Sequence, residues 1–267
     1  RGLGDVYKRQ AVNMLSPKQI VQILKTMKLS GMAQKYEQMH SEPSYQHLSV
    51  DEMLGILVDY ESRTRGAKRA QRCLSRSGMI PQEPFNQAFI ELGIYNSARG
   101  LKREVVCKLA SCSWIEDIEP YNLVVTGASG TGKTWLLLVV GKAACEKGIP
   151  VRYIRFSKLM EEMEDAREHK QLASYRNRLN RNKLLIIDDF GVDPMPADMA
   201  SNLLTLLEER YCHASTVLAG QMSTDLWHEY LGHSRSADAI LDRVLNSSYI
   251  VELRGPSLRE NKARREL

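Results

Sequence analysis

Two short stretches of this chain carry residues able to do chemistry on a polyphosphate. The first is Gly127-Ala128-Ser129-Gly130-Thr131-Gly132-Lys133-Thr134, in which two glycines separated by four residues are followed by Lys and Thr. Glycines so placed let backbone N–H groups turn inward around phosphate oxygens, and a helix beginning at that point adds the positive end of its dipole. Lys133 is then placed to reach the outer phosphates, and Thr134 to put its hydroxyl on the magnesium ion that the phosphates carry.

The second stretch is Leu184-Leu185-Ile186-Ile187-Asp188-Asp189, a continuous apolar run that ends in two carboxylates. A parallel strand covered on both faces reads this way, and its charged end falls at the carboxyl edge of the sheet, where a nucleotide would lie. Asp188 is expected to hold magnesium through water, and Asp189 to orient and polarise the attacking water. Further on, Ser215 to Ala219 reads as a strand whose tip, Gly220-Gln221, meets the γ-phosphate; Gln221 is expected to sense it and help place the water. The guanine-reading pattern Asn-Lys-x-Asp is missing, because Asn182-Lys183 runs straight into Leu184-Leu185. ATP with Mg2+ is the expected cofactor pair.

These residues need a frame, and the pattern supplies one. Tyr121 to Thr126 is a short apolar run that leads into the loop as a buried strand. A helix starts at Lys133 and ends at Lys147-Gly148, with Pro150 beyond it. Val151 to Phe156 reads as a second strand, and Ser157 as the cap of a helix from Lys158 to about Glu168. Asp198 is expected to cap a helix with Ala200, Leu203, Leu204 and Leu207 turned inward. Ala237 to Leu245 is helical, and Tyr249 to Leu253 is a fifth strand. Alternating strands and helices of this kind predict an α/β fold, a parallel five-stranded sheet sandwiched by helices.

Ahead of it lies a segment with helical periodicity, in which Ser16-Pro17 and the Ser49/Glu52 pair are helix-start signals. Between Ser62 and Gln82 no acidic residue occurs, while Arg65, Lys68, Arg69, Arg72 and Arg76 recur at near-helical spacing. A cationic stripe of this kind fits the phosphates of a nucleic acid. The expected organisation is a non-native leader over 1–13 with Met14 as the true start, a small helical DNA- or partner-binding domain over 14–76, a linker over 77–100 and an ATPase domain over 101–267. Of the 267 residues 43% are apolar, enough for a core, yet no apolar run approaches the ~20 residues that cross a bilayer. The five cysteines form no CxxC pair, and they read as reduced thiols of a cytoplasmic protein rather than a zinc site or a disulfide framework.

With these parts in order, the chain resembles the IstB family of AAA+ transposition helper ATPases from bacterial insertion sequences, relatives of DnaC-type helicase loaders. The resemblance runs from about Met14 to the end. It rests on Tyr121-Asn122-Leu123-Val124-Val125-Thr126 leading into the loop, Ile187-Asp188-Asp189-Phe190-Gly191, Ala219-Gly220-Gln221 with Trp227-His228, Ala237-Asp238-Ala239-Ile240-Leu241-Asp242-Arg243, and Gly255-Pro256-Ser257-Leu258-Arg259. The resemblance implies a P-loop NTPase of the AAA+ type with a much reduced C-terminal lid. By the same similarity Gln221 is the sensor-one residue, Arg243 the arginine finger offered to a neighbouring subunit, and Arg259 the sensor-two residue; Arg210 is a rival for the inter-subunit contact. It also implies a homo-oligomer with ATP sites between subunits, assembled on double-stranded target DNA, recruiting a cognate transposase and released by hydrolysis. Asp189 stands where Glu is commoner in AAA+ proteins, which shortens the reach to water and implies slow hydrolysis. The alternative is a helicase loader, which the ATPase core alone does not separate from a transposition helper.

Overall fold

The computed structural model describes residues 15–79, 99–232 and 235–258. Its first helices start where the side chains prescribe. Ser16 accepts from the Gln19 N–H and the Gln19 side chain returns a bond to the Ser16 backbone, so α1 (Pro17–Thr26) opens on a reciprocal cap with Pro in its first turn. Lys28 takes a left-handed φ of 60°, which ends that helix and lets α2 (Ser30–Ser41) fold back on it. The next helix, α3 (Val50–Arg76), begins with the Ser49/Glu52 exchange.

Glu61 of α3 is buried, and it takes the Met32 N–H at 2.9 Å and the Arg65 Nε at 2.6 Å. Burial pushes its carboxyl up, but these donors outweigh burial and hold it below the usual carboxylate value. The chain divides into two compact units between Lys68 and Arg69, inside α3 rather than at the Arg76 boundary that the sequence suggests.

The second unit is organised by five parallel strands: β1 (Asn122–Gly127), β2 (Val151–Arg155), β3 (Leu184–Phe190), β4 (Ser215–Gly220) and β5 (Ser248–Leu253). They lie in the order β2-β3-β4-β1-β5. The loop-bearing strand β1 is therefore interior, beside the edge strand β5, with β4 between it and the carboxylate strand β3. Its helices are α4 (Arg103–Ala110), α5 (Lys133–Glu146), α6 (Phe156–Glu168), α7 (Leu172–Asn180), α8 (Ala197–Arg210), α9 (Trp227–Tyr230) and α10 (Arg235–Leu245).

Strand alternation divides the core in two. Leu123 and Val125 of β1, Ile186 of β3 and Val217 and Ala219 of β4 meet Leu136, Leu137 and Val140 of α5 on one face. On the other, Val124, Leu185, Ile187 and Leu218 meet residues of α6, α8 and α10, Leu159, Leu203 and Ile240 among them. Leu136, Leu137 and Val140 are almost wholly buried, and each such aliphatic contributes roughly 1.5–3 kcal/mol, so the helix that follows the loop is firmly anchored.

Two expected helix starts move. Strand β2 runs directly into α6 at Phe156, so Ser157 lies inside the helix and is not its cap. The reason is packing, because Phe156 is buried edge-on against Phe190 with ring centroids 5.0 Å apart. Helix α8 begins at Ala197 after Pro196, which places Asp198 in its first turn rather than at the cap.

Candidate functional site

The phosphate loop takes the shape its glycines permit. Gly127, Gly130 and Gly132 have φ of 147°, 80° and 104°, all in the region that side chains disfavour. Space forbids a side chain as well: a Cβ on Gly127 would collide with the Leu253 carbonyl, and one on Gly130 with Ser257. The Leu258 N–H donates to the Gly130 carbonyl at 2.9 Å, so the segment after β5 lies along the loop. Arg259, the next residue, lies outside the described residues.

Ala128, Ser129, Thr131 and Thr134 complete the turn. Thr131 is buried and its hydroxyl donates to the Ala128 carbonyl at 2.8 Å. Lys133 is 8% exposed, and its ammonium donates to the carbonyls of Gly127 (2.6 Å) and Ala128 (2.9 Å). The cation is thus held against the loop that would wrap a phosphate, at the amino end of α5. Half-buried Thr134 sits in the first turn of that helix.

The two carboxylates stand at a defect in β3. The register runs Ile187↔Leu218 and then Phe190↔Gly220, so β3 carries one residue more than β4 across this step. Such a bulge re-aims side chains at the end of a strand. Asp189 takes a φ of 59°, a left-handed conformation that Asp tolerates better than most residues. Asp188 is 1% exposed and fixed at both oxygens, with the Tyr153 hydroxyl donating to Oδ2 at 2.8 Å and the Asp189 N–H to Oδ1 at 2.9 Å. Burial, and then the Asp188 charge, push the Tyr153 hydroxyl well above the usual phenol value, so it remains a donor at neutral pH. Asp189 lies 3.7 Å from the Arg155 guanidinium, and both side chains are largely exposed, so solvent screens that pair. Gln221 is exposed immediately beyond β4, whose last residue Gly220 is in register with Thr126 just ahead of the loop.

The donor set fits a magnesium nucleotide. An inward ammonium, a loop that leaves no room for a Cβ at Gly127 or Gly130, the amino end of an anchored helix and hard oxygen donors on Thr134 and Asp188 are what a polyphosphate with Mg2+ requires.

Arg243 is placed elsewhere. Asn122, the first residue of β1, donates through its side chain to the Arg243 carbonyl at 3.0 Å, and Arg243 lies over the Tyr211 ring at 4.9 Å with its guanidinium on Asp242. The loop begins at the other end of β1, about 17 Å away at the rise of a strand. Arg243 therefore faces away from its own loop.

Its rival Arg210 is only 1% exposed. It donates to Thr216 Oγ1 (3.0 Å), the Asn182 carbonyl (3.0 Å), the Ser215 carbonyl (2.6 Å) and, more weakly, the Leu179 carbonyl (3.4 Å). A side chain so enclosed is structural, and it does not reach another subunit.

The cationic stripe is less uniform than its sequence suggests. Arg65 is neutralised by Glu61 and also donates to the Lys28 carbonyl, and Lys68 donates to the Ser30 hydroxyl at 2.8 Å. The physical reason is helical reach: Glu61 lies just ahead of the acid-free run, yet one turn brings its carboxylate to Arg65. Arg69, Arg72 and Arg76 are exposed on the part of α3 that belongs to the second unit, with the Arg69 side chain against Gly148. Sequence reading passed over Tyr153 and Arg155. Their alternation along β2 places them on one face, but only the pairing of β2 with β3 brings them to the carboxylates.

The profile of the IstB-like ATP binding protein family matches residues 22–266. An insertion sequence ATP-binding protein of Sinorhizobium fredii, y4pL, is 35% identical over 242 residues, covering 91% of this chain and 96% of the relative. The IS21 ATP-binding protein of Pseudomonas aeruginosa is 26% identical, covering 91% of this chain and 89% of its own length. Among solved structures, domain III of the Thermotoga maritima replication initiation protein DnaA superposes with a TM-score of 0.51 at 19% identity, over 67% of this chain and 72% of that one. At that identity the likeness speaks for the fold alone, the helix-sandwiched parallel sheet of AAA+ P-loop proteins.

Proposed function

The chain belongs to the IstB-like ATP-binding protein family, and from that membership and its site we propose that it is an ATP-hydrolysing helper of insertion-sequence transposition. In this reading it assembles on double-stranded DNA with its ATP sites between subunits, and the assembly recruits a transposase. Lys133 and the loop N–H groups of Gly127 to Thr134 bind and orient the β- and γ-phosphates. Thr134 and Asp188 hold Mg2+, which when bound neutralises charge on the phosphate oxygens. Asp189, released from Arg155, orients the attacking water, and Gln221 contacts the γ-phosphate beside it. By the family resemblance, Arg259 serves as the sensor-two residue for the nucleotide.

Arg243 acts on the neighbouring subunit's nucleotide, and its distance from its own loop is the observation that carries this reading. Hydrolysis removes its target, the contact between subunits weakens, and the assembly releases its DNA. The work is expected in the bacterial cytoplasm, where the duplex DNA on which it would assemble lies.

The test is complementation. Lys133→Ala removes the loop's function and keeps a good Arg243, while Arg243→Ala does the reverse; each alone is expected to hydrolyse little ATP on duplex DNA. In an equimolar mixture about one interface in four pairs a sound loop with a sound arginine, so roughly a quarter of the parental rate should return. A mixture no more active than its components would remove the inter-subunit role. Preference for duplex over single-stranded DNA in the same assay separates a transposition helper from a helicase loader.

A further inference from the structure

Beyond the loop and the carboxylates, we propose that Tyr153 is a positioning residue for metal binding: its hydroxyl fixes the Asp188 carboxylate in the orientation that receives Mg2+. This rests on the reading of Asp188 as a metal-holding group.

The register sets the geometry. Arg155 pairs with Asp188 and Tyr153 with Ile186, so Tyr153 lies one pleat behind Asp188 on the same face of the adjacent strand. From there a side chain reaches the carboxylate only if it is long and ends in a donor. The type of donor matters as well. Strand β2 also carries Arg152 and Arg155, but these pair with Glu162 and Asp189, each at 3.7 Å. The buried Asp188 receives a neutral hydroxyl. An arginine there would oppose a divalent cation, whereas a hydroxyl restrains the carboxylate and leaves its charge intact.

The tyrosine is itself held from behind. Strand β2 is the edge of the sheet, and on its open side the Tyr153 N–H donates to the Ser77 carbonyl at 2.6 Å. Beyond Ser77, Met79 is buried in the cluster that includes Leu136 and Ile186, and the Tyr153 ring packs against that cluster. Backbone and ring are thus located before the hydroxyl is used. With the Asp189 N–H on Oδ1, the carboxylate is restrained at both oxygens, and each oxygen keeps lone-pair capacity for a water-mediated metal contact.

The test is Tyr153→Phe in the full-length chain, read by fluorescence anisotropy of a labelled ATP analogue titrated with and without Mg2+. Loss of an outer-shell partner commonly costs ten- to a hundredfold in metal affinity, so the Mg2+ concentration for half-maximal nucleotide binding should rise about tenfold. Binding without Mg2+ should stay at the parental level. A half-saturation within twofold of the parent overturns the proposal, as does equal weakening with and without Mg2+, which marks a general structural role. Asp188→Ala is measured alongside. If it keeps the parental Mg2+ dependence, the metal role of Asp188 fails; if it loses that dependence and Tyr153→Phe does not, only the positioning role fails. Should the Phe variant lose its folded circular dichroism signal, Tyr153→Leu is read against the same outcomes.

Discussion

Replacing Arg210 and Arg243 in turn separates an arginine that holds the fold from one proposed to serve a neighbour, although both stand near a helix end with a basic last turn. Arg210→Met keeps much of the side-chain volume and removes a guanidinium that serves Thr216 Oγ1 and the carbonyls of Asn182 and Ser215. At about 1 kcal/mol or more for each bond, the loss is at least ~3 kcal/mol before any relaxation. For a unit of this size that corresponds to a fall of roughly 6–12 °C in the unfolding midpoint. Arg243→Ala gives up a pairing with Asp242 at 34% side-chain exposure, screened by solvent, and the expected stability change is below about 1 kcal/mol. Its effect should fall on hydrolysis: a trans arginine is worth on the order of a thousandfold or more in kcat. The assays are thermal unfolding followed by circular dichroism and phosphate release on duplex DNA at saturating ATP. An Arg210→Met protein with parental unfolding but collapsed DNA-dependent turnover would refute the assignment and restore Arg210 as the inter-subunit residue.

Three further outcomes follow from the same contacts. Glu61 has its folded pKa below the usual glutamate value, so its contribution is fully present above that usual value and is lost as pH falls through the folded pKa. Glu61→Gln should therefore cost about 1–2 kcal/mol at pH 7 and progressively less below pH 4.5 in denaturant titrations; a cost that does not change with pH would contradict this. Arg69→Glu with Arg72→Glu should weaken duplex DNA binding and reduce the slope of log K against log salt by about two, whereas Arg65→Ala should chiefly lower stability, because Arg65 is already paired with Glu61. Gly130→Val should displace the segment at Ser257 and weaken nucleotide binding, as measured by calorimetry, with little change in the unfolding of the first unit.

The parts that were legible in the sequence are those whose chemistry is local. Loop spacing, the apolar run into Asp188 and the two N-terminal caps each depend on residues within a few positions of one another, and the structure places all of them as the pattern requires. What stayed hidden depends on neighbours that sequence spacing does not specify. Tyr153 and Arg155 are only an alternating pair on a β-branched strand until β2 lies against β3, and then they meet the two carboxylates. The extra residue in β3 is invisible for the same reason, since a bulge exists only against the count of its partner. Arg210 misleads in the opposite direction: a basic residue at a helix end reads as surface, yet the carbonyls of Asn182 and Ser215 and the hydroxyl of Thr216 converge on it and make burial tolerable.

The two ends of β1 therefore carry different kinds of information. At its carboxyl end the loop and Asp188 are recognisable from residue type, because binding a polyphosphate needs particular atoms at short range. At its amino end Arg243 acquires meaning only from distance, since a well-packed six-residue strand keeps it from its own nucleotide. Rigidity is what makes that separation functional. A strand flanked by β4 and β5 and covered by α5 on one face and α10 on the other does not shorten, so a γ-phosphate contact by Arg243 would require a second subunit, and under the proposed function hydrolysis would report assembly.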